Sequence, residues 1–143
     1  MVRGRFSAAA PAGSRSIVEI LAAARARIRR CTPEEALAMQ RDGAILVDTR
    51  SAAQHAEHGM IPDALPVARN VLEWRLDPRS DARLAVADRY DLLVIVVCQE
   101  GYSSSLAAAS LQDLGLYRAT DLIGGFAAWR AAGLPTVGGS EPA

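Results

Sequence analysis

The chain contains no lysine: all sixteen of its basic residues are arginine. That absence excludes a mechanism built on a lysine nucleophile or a Schiff base. Acidic residues also number sixteen, so the formal net charge is zero. No basic surplus points to nucleic acid, and no acidic surplus to a solvating tail. Cysteine is scarce, with only Cys31 and Cys98. Two cysteines could form one disulfide, but nothing else suggests a secreted scaffold, and the first residues lack the apolar core of a signal peptide. The expected setting is therefore the reducing cytoplasm, with Cys31 a structural residue. No apolar run approaches the length of a membrane span, so no membrane partner is expected. His55 and His58 have i, i+3 spacing, but no cysteine or carboxylate cluster joins them. Neither a metal nor another cofactor is expected, and both histidines read as exposed loop residues.

Half of the 143 residues are apolar. That is enough for one domain with a packed core and too little for two. Residues 1–15, rich in Gly, Ala, Pro and Ser, are predicted to be a disordered tail. Residues 16–143 are predicted to form the single domain. Ser16 and Glu19 make a capping box ahead of an extra N-terminal helix. Its Arg25, Arg27, Arg29 and Arg30 read as a solvated face. Thr32-Pro33-Glu34-Glu35 starts a second helix that Asp42-Gly43 ends. Ala44–Asp48 reads as a strand, Ser51–Met60 as holding a short helix, and Val71–Leu76 as a helical turn or more. Ala119–Ile123 reads as a last strand and Gly124–Ala132 as a last helix. Strands alternating with helices at this spacing predict an α/β fold, a mostly parallel central sheet with helices on both faces.

The most informative stretch is Leu92-Leu93-Val94-Ile95-Val96-Val97-Cys98-Gln99-Glu100-Gly101-Tyr102-Ser103-Ser104-Ser105. An unbroken apolar run between Asp91 and Gly101 predicts a strand buried on both faces. Leu106–Gly115 predicts the following helix, with serine as its cap and Gly115 as its stop. Cys98 thus falls at the carboxyl end of a central strand, where open α/β sheets bind ligands and where amides and a helix N-terminus favour an anion. A thiol of pKa near 8.5 is only about 3% ionised at pH 7, and a fall of about two units makes it roughly three-quarters thiolate. Such a fall needs about 2.7 kcal/mol of differential stabilisation. From position alone, Cys98 reads equally as a reactive thiolate or as a small buried hydrophobe ending a strand.

The loop resembles the active-site loop of rhodanese-like sulfurtransferases. Three further stretches carry the resemblance. Ile45–Arg50 is similar to that family's first central strand, which ends in Asp-x-Arg. Gly59-Met60-Ile61-Pro62-Asp63-Ala64 is similar to its Gly-His-Ile-Pro-Gly-Ala turn. Leu122–Trp129 with Ala132-Gly133-Leu134-Pro135 is similar to its closing segment. The match spans about residues 31–137 and implies a rhodanese-like three-layer sandwich.

The resemblance implies a persulfide on Cys98, loaded by a small donor such as thiosulfate or a persulfide and unloaded by cyanide, a thiol or a thiol protein. It also implies a cradle formed by Gln99, Glu100, Gly101, Tyr102, Ser103 and Ser104. Two departures stand out. Ser103 occupies a position where that family often has a base, and Glu100 adds a negative charge. Arg69, in an unusual insertion, is the expected replacement cation. A non-catalytic interaction or redox-sensing module is the alternative those departures favour. A cysteine phosphatase would need an arginine where Ser104 stands.

Overall fold

The four residues Val94–Val97 form the strand at the centre of the molecule, and all four side chains are buried. Val94 and Val96 pack into one apolar cluster, and Ile95 and Val97 into another. This is the two-faced burial that the unbroken apolar run predicts. The computed structural model describes residues 9–140. Most of the predicted N-terminal tail, residues 1–8, lies outside the described residues. Where the tail is described, Pro11 to Ser14 forms a turn, with the Ser14 N–H and Oγ both donating to the Pro11 carbonyl.

In chain order the elements are α1 (Ile17–Arg27), α2 (Pro33–Arg41), β1 (Ile45–Asp48), α3 (Ala52–His58), β2 (Leu65–Pro66), a 3-10 turn (Arg69–Val71), α4 (Leu72–Leu76), β3 (Val94–Val97), α5 (Ser103–Asp113), β4 (Thr120–Asp121) and α6 (Gly125–Ala131). The sheet runs β2-β1-β3-β4 and every pairing is parallel. Asp48 lies opposite Val97 in the β1–β3 register. Cys31 adds a single parallel bridge to Leu122 beyond β4.

Three layers result. One face of the sheet is covered by α4 and α5, through Leu72, Leu76, Ala107, Ala108 and Leu111, together with Ile28 just after α1, and α1 packs on α5. The other face is covered by α2 and α6 through Ala36, Phe126 and Trp129. The capping boxes at Ser16–Glu19 and Thr32–Glu35 are both formed, which explains why α1 and α2 start where the sequence predicts. Among the described residues no helix is long and apolar enough to cross a membrane.

Two local readings change. Helix α5 starts at Ser103 rather than after the serines, and no side chain caps it. The histidines are not exposed loop residues: both lie on α3, partly buried. His55 Nε2 sits 3.0 Å from Asp48 Oδ1, and His58 Nε2 is 2.9 Å from Glu57.

Candidate active site

The chain leaves β1 toward β2 on one side and later enters β3 and β4 on the other. The seam between β1 and β3 is therefore the point where the strand order reverses, and the carboxyl ends of those strands open a crevice there. From β1 come Thr49 and Arg50; from β3 comes Cys98. With Gln54, Gln99, Glu100, Tyr102 and Ser103 they line a cavity of about 280 Å³.

Three backbone carbonyls of the loop are held by groups from outside it. The Cys98 and Gln99 carbonyls accept from the Phe126 and Ala127 N–H groups of α6, at 2.8 and 3.0 Å. The Gly101 carbonyl accepts from Arg25 and Arg30 of the N-terminal segment. In these trans peptides the N–H groups of Gln99, Glu100 and Tyr102 point away from those partners. The Gly101 N–H lies 3.1 Å from Cys98 Sγ, and the Ser104 N–H 3.4 Å. The thiol sulfur thus takes the place of the side-chain cap that α5 lacks, and so sits at the positive end of an eleven-residue helix.

Gly101 is needed for this turn. Its φ is +86°, and a Cβ would meet the Gly124 backbone nitrogen at 2.7 Å. Gly125 has a similar role: a Cβ there would run into the Cys98 carbonyl.

Burial pushes the Cys98 thiol up, but the hydroxyls of Ser104 and Ser103 and the amides of Ser104 and Gly101 outweigh it and hold the thiol below its ordinary value. The Ser104 hydroxyl has one proton, which is directed at Asp121 at 2.8 Å. Ser103 and the two amides are therefore the dependable donors. Glu100 is exposed, and the causes of the shift are burial and the Ser103, Ser104 and Gly101 hydrogen bonds. Cys31 shows the opposite behaviour: burial pushes its thiol up to about 11, reinforced by Glu35 and Asp121.

The loop residues Gln99, Glu100, Gly101, Tyr102, Ser103 and Ser104 all gather around Cys98. Arg69 does not line the cavity. It is held by Glu73, one turn along, at 3.0 Å, and Glu73 also accepts from Ser110 on the far part of α5. The cation at the cavity is Arg50, 5% exposed. It makes a two-pronged bond to Asp48, donates to the Gly59 carbonyl at 2.8 Å and Gln99 Oε1 at 3.1 Å, and lies 4.0 Å over the Phe126 ring. Burial raises the Asp48 carboxyl, but Arg50 and His55 together bring it below its usual range, so the pair is ionic and nearly neutral. Arg50 stands in the Asp-x-Arg stretch, but its chain position alone does not show that it reaches under the loop. Among the described residues no group of three or more metal-ligating side chains occurs.

Comparison with known proteins agrees with this geometry. The model of the rhodanese-like domain family matches residues 32–132. A thiosulfate sulfurtransferase GlpE of Pseudomonas savastanoi pv. phaseolicola is 37% identical over 103 residues, covering 72% of this chain and 88% of the relative. A sulfurtransferase of Allochromatium vinosum is 36% identical over 93 residues, covering 65% of this chain and 78% of the relative. Among solved structures, a protein of unknown function from Rhodopseudomonas palustris, described as a possible tyrosine phosphatase, superposes with a TM-score of 0.79 at 31% identity. That match covers 90% of this chain and 99% of the other. The chain belongs to the rhodanese-like family. Within it, the chain is a sulfurtransferase.

Proposed function

We propose that the chain moves a sulfane sulfur from a small anionic donor to a nucleophilic acceptor through a persulfide on Cys98. The observation that carries this reading is the Cys98 sulfur itself. It lines the cavity, receives two backbone N–H groups, and is held below its ordinary pKa.

Thiosulfate, named in several relatives, is the donor we assign. The Cys98 thiolate attacks its outer sulfur. The new S–S bond forms as the bond to the sulfite sulfur breaks, and sulfite leaves with that electron pair. The persulfide then carries its negative charge on the terminal sulfur. Cyanide, or the thiolate of a small thiol or a protein, attacks that sulfur, and the electron pair returns to Cys98 as thiolate. The amide cradle stabilises the negative charge throughout. The loop residues bind donor and persulfide, and Arg50 adds a cation whose charge Asp48 largely balances. Two free cysteines, Cys31 and Cys98, are in keeping with the reducing cytoplasm, which remains the proposed compartment. Residues 16–143 are proposed as one domain, with a core of about 31–137.

Phosphate-ester chemistry fits poorly, because Ser104 stands where the loop would need a guanidinium and its hydroxyl already serves Asp121. Cyanolysis of thiosulfate by wild type and Cys98→Ser tests the proposal. Transfer by wild type and none by the variant is expected; equal transfer by both would overturn it.

A further inference from the structure

The N-terminal segment takes hold of the active-site loop through two arginines that precede residue 32, where the family match begins. Arg25 donates from Nη2 to the Gly101 carbonyl at 2.8 Å and from Nε to Ser105 Oγ at 3.0 Å. Its guanidinium lies 5.5 Å from the centre of the Tyr102 ring. Arg30 donates to the same carbonyl at 3.0 Å and grips Asp121 with Nε and Nη2 at 2.8 and 3.2 Å. Asp121 is fully buried and also accepts the hydroxyls of Ser104 and Ser105, at 2.8 and 2.7 Å. These arginines are therefore not part of a solvated face. Both lone pairs of one loop carbonyl are committed to cations from outside the family core.

That carbonyl belongs to the Gly101–Tyr102 peptide. Peptides among the described residues are trans, so the Tyr102 N–H points opposite to the Gly101 carbonyl, away from the arginines and across the loop. The Tyr102 N–H has no acceptor among the described residues. The Gly101 and Ser104 amides already serve Cys98 Sγ. When sulfur arrives on Cys98, the negative charge moves one bond outward, beyond those two amides, and a further donor is needed there.

We propose that Arg25 and Arg30 are positioning residues for sulfur transfer: they fix the Gly101–Tyr102 peptide so that the Tyr102 N–H receives the charge of the terminal sulfur. The proposal rests on the persulfide reading above. It assigns the extra N-terminal helix a role in turnover, beyond its packing on α5.

The test uses Arg25→Met, Arg25→Lys and, as control, Arg27→Met. Arg27 ties the same two helices together at the surface, 2.6 Å from Asp113, without touching the loop. Arg30 is left in place because its loss would strand the buried Asp121 charge. Thiosulfate-to-cyanide transfer is measured per chain whose buried Cys31 resists alkylation, which removes any misfolded fraction from the comparison. Arg25→Met should lower kcat about tenfold, a smaller loss than deleting an oxyanion donor outright, with KM changed less than about twofold. Arg25→Lys should recover only part of that, since an ammonium cannot span Ser105 and Gly101 as the guanidinium fork does. Arg27→Met should match wild type. Wild-type kcat in Arg25→Met, full recovery by lysine, or an equal loss in Arg27→Met would each overturn the proposal. Absence of any added sulfur on wild-type Cys98 would instead defeat the persulfide reading beneath it.

Discussion

Replacing Gly101 by alanine perturbs the cradle at its tightest point. At φ +86° an L side chain costs about 1–2 kcal/mol of backbone strain. The new Cβ would also lie 2.7 Å from the Gly124 nitrogen and 3.1 Å from the Gly125 nitrogen, both backbone atoms at the start of α6. They cannot yield without moving the N–H groups that hold the Cys98 and Gln99 carbonyls. Adding the displacement gives a destabilisation on the order of 3 kcal/mol, or a fall in Tm of roughly 6–12 °C for a domain of this size. The same shift pulls the Gly101 N–H from its 3.1 Å contact with Cys98 Sγ. Losing one hydrogen bond to a charged group costs about 1.5–3 kcal/mol, equivalent to one to two pKa units upward. Alkylation rate against pH reads the second effect and thermal unfolding the first. An alanine variant with an unchanged thiol pKa would show that the loop amides do not set the reactivity of Cys98.

Iodoacetamide at neutral pH should modify Cys98 and spare Cys31, which is 1% exposed and pushed up to about 11; equal labelling of both in folded protein would contradict the burial argument. The two thiols should also act oppositely on stability. The folded state favours the Cys98 thiolate, so its contribution is full above the unfolded pKa and is lost as pH falls through the lower folded value. Cys31 contributes fully below the unfolded value of about 9 and loses that contribution as pH climbs toward about 11, which denaturation of Cys98→Ala and Cys31→Ala across this range would reveal. Ser103→Arg exchanges a hydroxyl donor to Cys98 for a cation at the cavity rim and should lower KM for thiosulfate about 5- to 100-fold; an unchanged KM would show that the amides already suffice for the dianion. Arg69→Ala should leave sulfur transfer intact and lose at most about 1 kcal/mol, since its partner is Glu73 on a partly exposed surface; a large rise in KM would return Arg69 to the donor site.

The sheet was legible because each of its central strands reports its own surroundings. Four consecutive buried residues at Val94–Val97 leave an apolar run that any parallel, two-faced strand requires. Helix starts were legible wherever a capping box is written within four residues, as at Ser16 and Thr32. The start of α5 misleads for the same local reason. Three serines suggest a side-chain cap, but the acceptor there is a sulfur five residues before the helix, and two of the serines serve Asp121 instead. Long-range partners leave no periodic trace. Arg25 and Arg30 look like a solvated helix face until the fold brings Gly101 and Asp121 beneath them, 71 to 91 residues along the chain. Arg50 and Arg69 are alike as sequence. Only the β1–β3 seam brings the first to the cavity, while an i, i+4 carboxylate keeps the second away.

Intact-protein and peptide mass spectrometry after incubation with thiosulfate tests the central claim most directly. The account predicts one added sulfur, located on Cys98, absent from Cys98→Ser and removed by cyanide with release of thiocyanate. Turnover of thiosulfate with no sulfur ever found on Cys98, or with the sulfur found on Cys31, would contradict it.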